Sequence, residues 1–175
     1  MRIESEPIQN SYWVIPGRFR AGEHPGIHSS QEVKKKLRWL MDDGIDFIIN
    51  LTGPLPSGLD YFSSITDVAT LNKRQVGYKQ IPIQDFNTPH TQEMVDILDT
   101  IDNALLAGKN IYLHCYYGLG RTGTVVGCYL ARHSILGEEA LQKIQELRAG
   151  IPNEKSLSPE TTDQIRMVKE WTKGL

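Results

Sequence analysis

Cysteine is scarce in this sequence: Cys115 and Cys128 are the only two among 175 residues. Two thiols are too few for a disulfide scaffold and suit a reducing cytoplasm, where a free, functional cysteine is admissible. Long apolar runs are also missing, and the longest stretches fall far short of the roughly 20 residues that a membrane span needs. Charge of one sign is lacking as well. Nineteen basic residues against 21 acidic ones leave a net charge of -2. No whole-protein field therefore draws the chain to nucleic acid or to an anionic membrane, and any anion site must be local. Met1-Arg2-Ile3-Glu4-Ser5-Glu6-Pro7 carries two acids and no apolar run, so it does not read as a secretory signal. No histidine and cysteine spacing resembles a metal-ligand set, which leaves His24 and His28 in a turn-rich segment without a metal role. Internal repeats, low-complexity tracts and linker-like composition are absent too. The expectation is one domain over residues 1–175, a length sufficient for a substantial core.

What is present alternates between strand and helix. Residues 12–15 and 19–21 flank Pro16-Gly17, a strand, turn, strand signal. Over residues 31–43, Val33, Leu37, Leu40 and Met41 recur at helical spacing, with Gly44 where the helix would close. Lys34, Lys35, Lys36 and Arg38 lie mostly off that stripe as a solvated face. Phe47-Ile48-Ile49 reads as a buried strand, residues 59–71 as a weak helix, and residues 77–83 as another strand ending at Pro82-Ile83. A loop over residues 84–89 follows. Met94, Leu98, Ile101 and Leu105 mark one helix face, Ile111-Tyr112-Leu113 a last strand, and Val125, Val126, Tyr129 and Leu130 the helix after it. Leu141, Ile144 and Leu147 stripe a further helix. Ser158-Pro159-Glu160 is expected to open the last one, with Ser158 as N-cap, Pro159 at the first helical position and Glu160 favoured by the dipole. The sum is an α/β chain.

One segment carries the chemistry: Ile111-Tyr112-Leu113-His114-Cys115-Tyr116-Tyr117-Gly118-Leu119-Gly120-Arg121-Thr122-Gly123, an apolar strand entering a glycine-bearing loop and then a helix. A helix N-terminus offers unpaired N–H groups and partial positive charge, and Gly118 and Gly120 permit the curvature that turns successive amides inward. Tyr116, Tyr117, Gly118, Leu119, Gly120 and Arg121 are thus the candidate phosphate-binding residues. The loop lacks the Gly-Lys-Ser/Thr ending of a nucleotide-binding loop, and it carries a cysteine instead. An ordinary thiol, with a pKa near 8.5, is only slightly ionised at neutral pH. Activating one by about three pKa units takes about 4 kcal/mol in favour of the thiolate. The helix dipole supplies at most about 2 kcal/mol, so loop amides and the Thr122 hydroxyl are expected to add the rest. Arg121 presents a planar fork that holds two phosphate oxygens at once. Transfer to sulfur then needs a proton for the departing oxygen, from a group outside the loop.

His114-Cys115-x-x-Gly118-x-x-Arg121-Thr122 resembles the signature of the cysteine-dependent protein tyrosine phosphatase superfamily, Cys-x5-Arg followed by Ser or Thr. In the superfamily's dual-specificity branch an Asp on a loop at about the position of Asp85 protonates the leaving group. The resemblance therefore implies Asp85 as general acid, in preference to Asp96 and Asp99 on the following helix. The loop, the entry segment Val14-Ile15-Pro16-Gly17-Arg18-Phe19-Arg20-Ala21-Gly22-Glu23-His24-Pro25-Gly26 and the late Ser158-Pro159-Glu160-Thr161 are similar to the cyclin-dependent-kinase-associated phosphatases and compact bacterial relatives. This likeness implies a central mixed, largely parallel sheet of about five strands flanked by helices, with catalysis by Cys115, Arg121, Asp85 and Thr122. It also implies a phosphorylated protein or peptide as substrate, with no cofactor, metal, nucleic acid or membrane partner, in a cytoplasmic monomer.

Plainer roles suit the other candidates. His114 is expected to order the loop, His90 to be an exposed loop residue, Cys128 to be a core residue in preference to a redox partner of Cys115, and Gln164 to be a plain exposed helix residue in preference to one that places the hydrolytic water, as a glutamine does in some members of the superfamily. Trp13, Trp39 and Trp171 read as core or rim aromatics. Tyr116 and Tyr117 either pack the loop or line the pocket mouth. Three alternatives compete with a protein phosphatase. One is an inositol-phosphate or phosphoinositide phosphatase on the same loop, which usually needs lysines where this loop has Tyr116, Tyr117 and Leu119. The others are a catalytically silent phosphoprotein-binding module and a sulfur-transfer domain, whose loops have a shorter spacing.

Overall fold

The computed structural model describes residues 8–27, 29–172 and 174–175. Residues 1–7 and His28, on which the signal and part of the metal expectation rest, lie outside the described residues.

Five strands form one sheet in the order β1-β2-β5-β3-β4, with β1 Ser11–Ile15, β2 Phe19–Gly22, β3 Phe47–Asn50, β4 Gly77–Gln80 and β5 Ile111–His114. The β1-β2 hairpin is antiparallel, and the β2-β5, β5-β3 and β3-β4 pairs are parallel. The sheet is thus mixed and largely parallel. Successive side chains of a strand point to opposite faces, and the core divides accordingly. Ile48 and Tyr112 enter the cluster formed with α1 Ser30–Asp42 and α2 Tyr61–Leu71. Ile49, Ile111 and Leu113 face the other layer, made by α3 Thr91–Leu106, α4 Gly120–Arg132, α5 Gly137–Leu147 and α6 Thr162–Glu170. With helices on both sides, β2 and β5 are buried throughout, and β3 is buried except for the partly buried Phe47. Among the described residues, no helix is long and apolar enough to cross a membrane.

Two element boundaries differ from the sequence reading by three residues. The β4 ladder ends at Gln80 rather than Ile83. Pro82 has no N–H to donate, and beyond Gln80 the chain is held by two separate amide bonds, Ile81 N–H to Asn50 O and Ile83 N–H to Leu51 O. The last helix begins at Thr162, not at Pro159. Its N-cap is Thr161, whose hydroxyl accepts from Gln164 N–H at 3.2 Å while Gln164 Oε1 accepts from Thr161 N–H at 3.2 Å. This reciprocal box uses Thr161 and Gln164, whereas Ser158 spends its hydroxyl on Leu119 O instead.

Parallel order places the C-terminal ends of β2, β5, β3 and β4 along one edge of the sheet. Cys115 follows β5, Leu51 and Thr52 follow β3, and Asp85 lies beyond β4. These three groups converge on the N-terminus of α4.

Candidate active site

Cys115 is 3% exposed and begins the loop between β5 and α4. The loop's shape is imposed from outside. Tyr116 O accepts from His24 N–H at 2.9 Å, Tyr117 O from the Asn153 amide at 3.4 Å, and Leu119 O from Ser158 Oγ at 2.8 Å. A peptide unit is planar and trans, so a carbonyl held outward turns the next residue's N–H the opposite way. The amides of Tyr117, Gly118 and Gly120 are thereby aimed into the loop. Gly118 has φ +72°, and a Cβ there would come within 2.5 Å of Gly22 C and 2.7 Å of Glu23 N. Only glycine permits both that conformation and that approach.

Arg121, in the first turn of α4, is buried. Its Nη1 donates to Ile83 O at 3.0 Å and reaches Leu51 O at 3.5 Å, while Nη2 pairs with Asp85 Oδ1 at 3.0 Å. Carbonyls just beyond the ends of β3 and β4 thus aim the guanidinium, and Asp85 stands on the fork. The Asp85 carboxylate is half exposed, and its Oδ1 also accepts from Phe86 N–H at 3.1 Å. Thr122 Oγ1 is buried and pairs with no other protein atom, so the expected bond to the Cys115 sulfur is not formed here.

His114 is fully buried. Its Nδ1 lies 3.2 Å from Cys115 O and donates to it, since a carbonyl can only accept. Burial, the neighbouring His24 and the Arg121 charge hold His114 well below the usual imidazole range. His24 is pushed down to about 4, chiefly by burial. Its Nδ1 accepts from Gly26 N–H, and its ring meets that of His114 edge-on at 4.7 Å. Both rings are neutral supports beneath the loop. Tyr116 lies with its ring 5.8 Å from the Arg121 guanidinium, whereas Tyr117 is 66% exposed. Of the two readings for these tyrosines, Tyr116 packs against the Arg121 guanidinium, and the exposed Tyr117 does not pack the loop's interior. Cys128 is fully buried in the core, where burial pushes its thiol up and away from reactivity. His90 is exposed at the start of α3.

Sequence reasoning missed two features. Gln164 is not an exposed helix residue: it is fully buried, and its amide binds backbone on both sides. Placing the helix start at Pro159 hid its capping role. Glu160 lies outside α6 altogether. Its Oε2 is 2.5 Å from where a Cβ on Gly120 would stand, and the Gly120 N–H acts on its carboxylate. Burial first, then the Asp85 charge, raises Glu160 above the usual carboxylate range, against the pull of that amide and of Arg121. Among the described residues, no group of three or more His, Cys, Asp or Glu side chains is placed to hold a metal ion.

A family model described as the DSP-PTPase phosphatase of polymorphic toxin systems matches residues 24–135. Mouse dual specificity protein phosphatase CDC14B is 29% identical over 133 residues, covering 69% of this chain and 24% of that protein, so the chain spans about a quarter of this curated relative. The crystal structure of Tk-PTP in the active form is 27% identical with a TM-score of 0.67, covering 93% of this chain and 95% of that one. Kinase associated phosphatase, with its catalytic-site cysteine replaced by serine, shares the fold at 19% identity and a TM-score of 0.75, covering 95% of each chain. The family match begins at His24, whose N–H holds the loop, and runs through Asp85, Cys115 and Arg121 into the helix that ends the site. The chain belongs to the DSP-PTPase phosphatase family.

Proposed function

We propose that this chain is a cytoplasmic, monomeric, single-domain phosphatase that hydrolyses phosphomonoesters of proteins or peptides through a phosphocysteine. The observation that carries this reading is the grouping of Cys115, Arg121 and Asp85 around one loop of inward amides, with Asp85 3.0 Å from the clamp that a phosphate would use. The arriving dianion takes over the Arg121 fork and the loop amides, and Asp85 is released to the leaving-group side. Asp85 takes up a proton from solvent on leaving Arg121, and the Cys115 thiolate attacks phosphorus while the P–O bond breaks and that proton passes to the departing oxygen. The resulting carboxylate then takes a proton from water as that water attacks phosphorus. The S–P bond breaks, and inorganic phosphate and the thiolate are restored. Neutral His114 fixes the peptide that carries the nucleophile.

Two aromatics favour phosphotyrosine: Tyr117 and Phe86 are 66% and 59% exposed beside Cys115 and Asp85, and exposed rings suit an aryl ester. Hydrolysis of para-nitrophenyl phosphate in EDTA tests the function. Wild type is expected to turn over, Cys115→Ser to lose activity, and Asp85→Asn to lose about 10²- to 10⁴-fold on a phosphotyrosine peptide. A wild type that never turns over but captures phosphoproteins would restore the binding-module reading. Faster hydrolysis of inositol polyphosphate than of phosphotyrosine peptide would restore the lipid-type alternative.

A further inference from the structure

Asp85 stands on a loop with little support of its own. Residues 84–87 are exposed, and within the loop only a turn bond, Asn87 N–H to Gln84 O, and the Phe86 N–H bond to Asp85 join its parts. Phe86 has φ +62°, a conformation that a bulky residue holds only when its surroundings impose it. The surroundings that do so belong to the start of α6. Thr161 Oγ1 donates to Phe86 O at 3.3 Å, and Gln164 Nε2 donates to Asn87 O at 3.2 Å. Gln164 is 0% exposed, and its Oε1 accepts from Glu160 N–H at 3.1 Å and Thr161 N–H at 3.2 Å. Both ends of this amide are spent on backbone. The same side chain lies against the phosphate loop, for a Cβ on Gly120 would stand 3.0 Å from its Oε1 and 3.1 Å from its Nε2. One buried amide thus touches the acid loop, the cap of α6 and the phosphate loop.

We propose that Gln164, assisted by Thr161, is a positioning residue that fixes where Asp85 delivers its proton, by holding the carbonyls of Asn87 and Phe86 against the N-terminus of α6. This rests on the assignment of Asp85 as the acid. It differs from a role in placing the hydrolytic water, which would rest on the second Nε2 hydrogen, the one hydrogen of this amide that no described bond uses. A misplaced acid harms departure of a poor leaving group far more than that of a good one. Its effect also vanishes once the acid itself is gone.

The test compares wild type, Gln164→Met, Thr161→Val, Asp85→Asn and the Gln164→Met/Asp85→Asn double variant on a phosphotyrosine peptide and on para-nitrophenyl phosphate. Gln164→Met is expected to lower kcat on the peptide by about 10- to 100-fold, with a smaller loss on the activated ester and KM nearly unchanged. Thr161→Val should follow in the same sense. The double variant should be no slower than Asp85→Asn alone. Equal losses on both substrates, or a double variant slower than Asp85→Asn by the full Gln164→Met factor, would overturn the proposal. So would a phosphocysteine that accumulates in Gln164→Met as a burst of para-nitrophenol, since that marks a water-placing role. If Gln164→Met does not fold, Thr161→Val in the Asp85→Asn background decides by the same criteria. Turnover by wild type that Cys115→Ser removes but Asp85→Asn leaves intact would instead sink the assignment of Asp85, and the proposal with it.

Discussion

A carboxylate on a phosphate-loop amide sets Glu160 apart from the other acids around the site. Ionised, it competes with an incoming dianion for Gly120 N–H and repels it. The cost is modest at a partly exposed position, about 0.2–1 kcal/mol. Glu160→Gln keeps an acceptor for that amide and removes the charge, so inorganic phosphate should inhibit this variant about two- to fivefold more tightly at pH 7. Because Glu160 is raised above the ordinary carboxylate range, it takes up a proton before other carboxylates do as pH falls. The difference between variant and wild type should therefore shrink on the acid side while the phosphate loop is still intact. Competitive inhibition constants measured at several pH values check this, and a difference that grows toward acid contradicts it.

Among the elements, the segment between α5 and α6 carries more of the site than its loop appearance suggests. Asn153 and Ser158, which hold the carbonyls of Tyr117 and Leu119, belong to it. Arg148 is what shapes it. Its guanidinium is fully buried and donates to Ser156 O at 2.8 Å, Asn153 O at 2.6 Å and Asn153 Oδ1 at 3.2 Å. Burial lowers this group from its ordinary value, and no carboxylate hydrogen-bonds to it among the bonds described. Carbonyl dipoles and the fold around it hold the charge. Arg148→Met should lower unfolding free energy by about 3 kcal/mol, as chemical denaturation would measure. The folded fraction should bind phosphate more weakly, because the outward grip on the loop loosens. Unchanged phosphate affinity would separate this segment from the site.

For the molecule as a whole, the buried His24 and His114 tie stability to pH. His24 has its pKa depressed from 6.5 to about 4, with the Lys36 charge adding to the effect of burial. The unfolded chain therefore binds a proton more readily than the folded one. The neutral-histidine contribution is fully present above about pH 6.5 and is lost as pH falls toward 4, amounting to about 3 kcal/mol for His24. His114, depressed in the same direction, adds to the loss. Urea midpoints should fall steeply across that window, and His24→Phe, which keeps a ring against Tyr61 and His114, should flatten the fall. Much of this molecule was legible in the sequence. The strand and helix order, the loop and its residues follow from periodicity and from local chemistry within a few adjacent residues. The Asp85 pair with Arg121, the Gln164 clamp and the Arg148 cage were not, because each joins residues distant in the chain. Ser158-Pro159-Glu160 misled for a related reason: it has the composition of a helix start, yet its side chains serve the phosphate loop.

The sheet also separates the proposed nucleophile from the proposed acid. Cys115 follows the central strand, enclosed by β2 and β3, whereas Asp85 hangs beyond the edge strand β4 on a loop held from outside. A lineage carrying this fold can therefore redraw its acid loop, and with it the range of esters it cleaves, while the nucleophile is inherited unaltered.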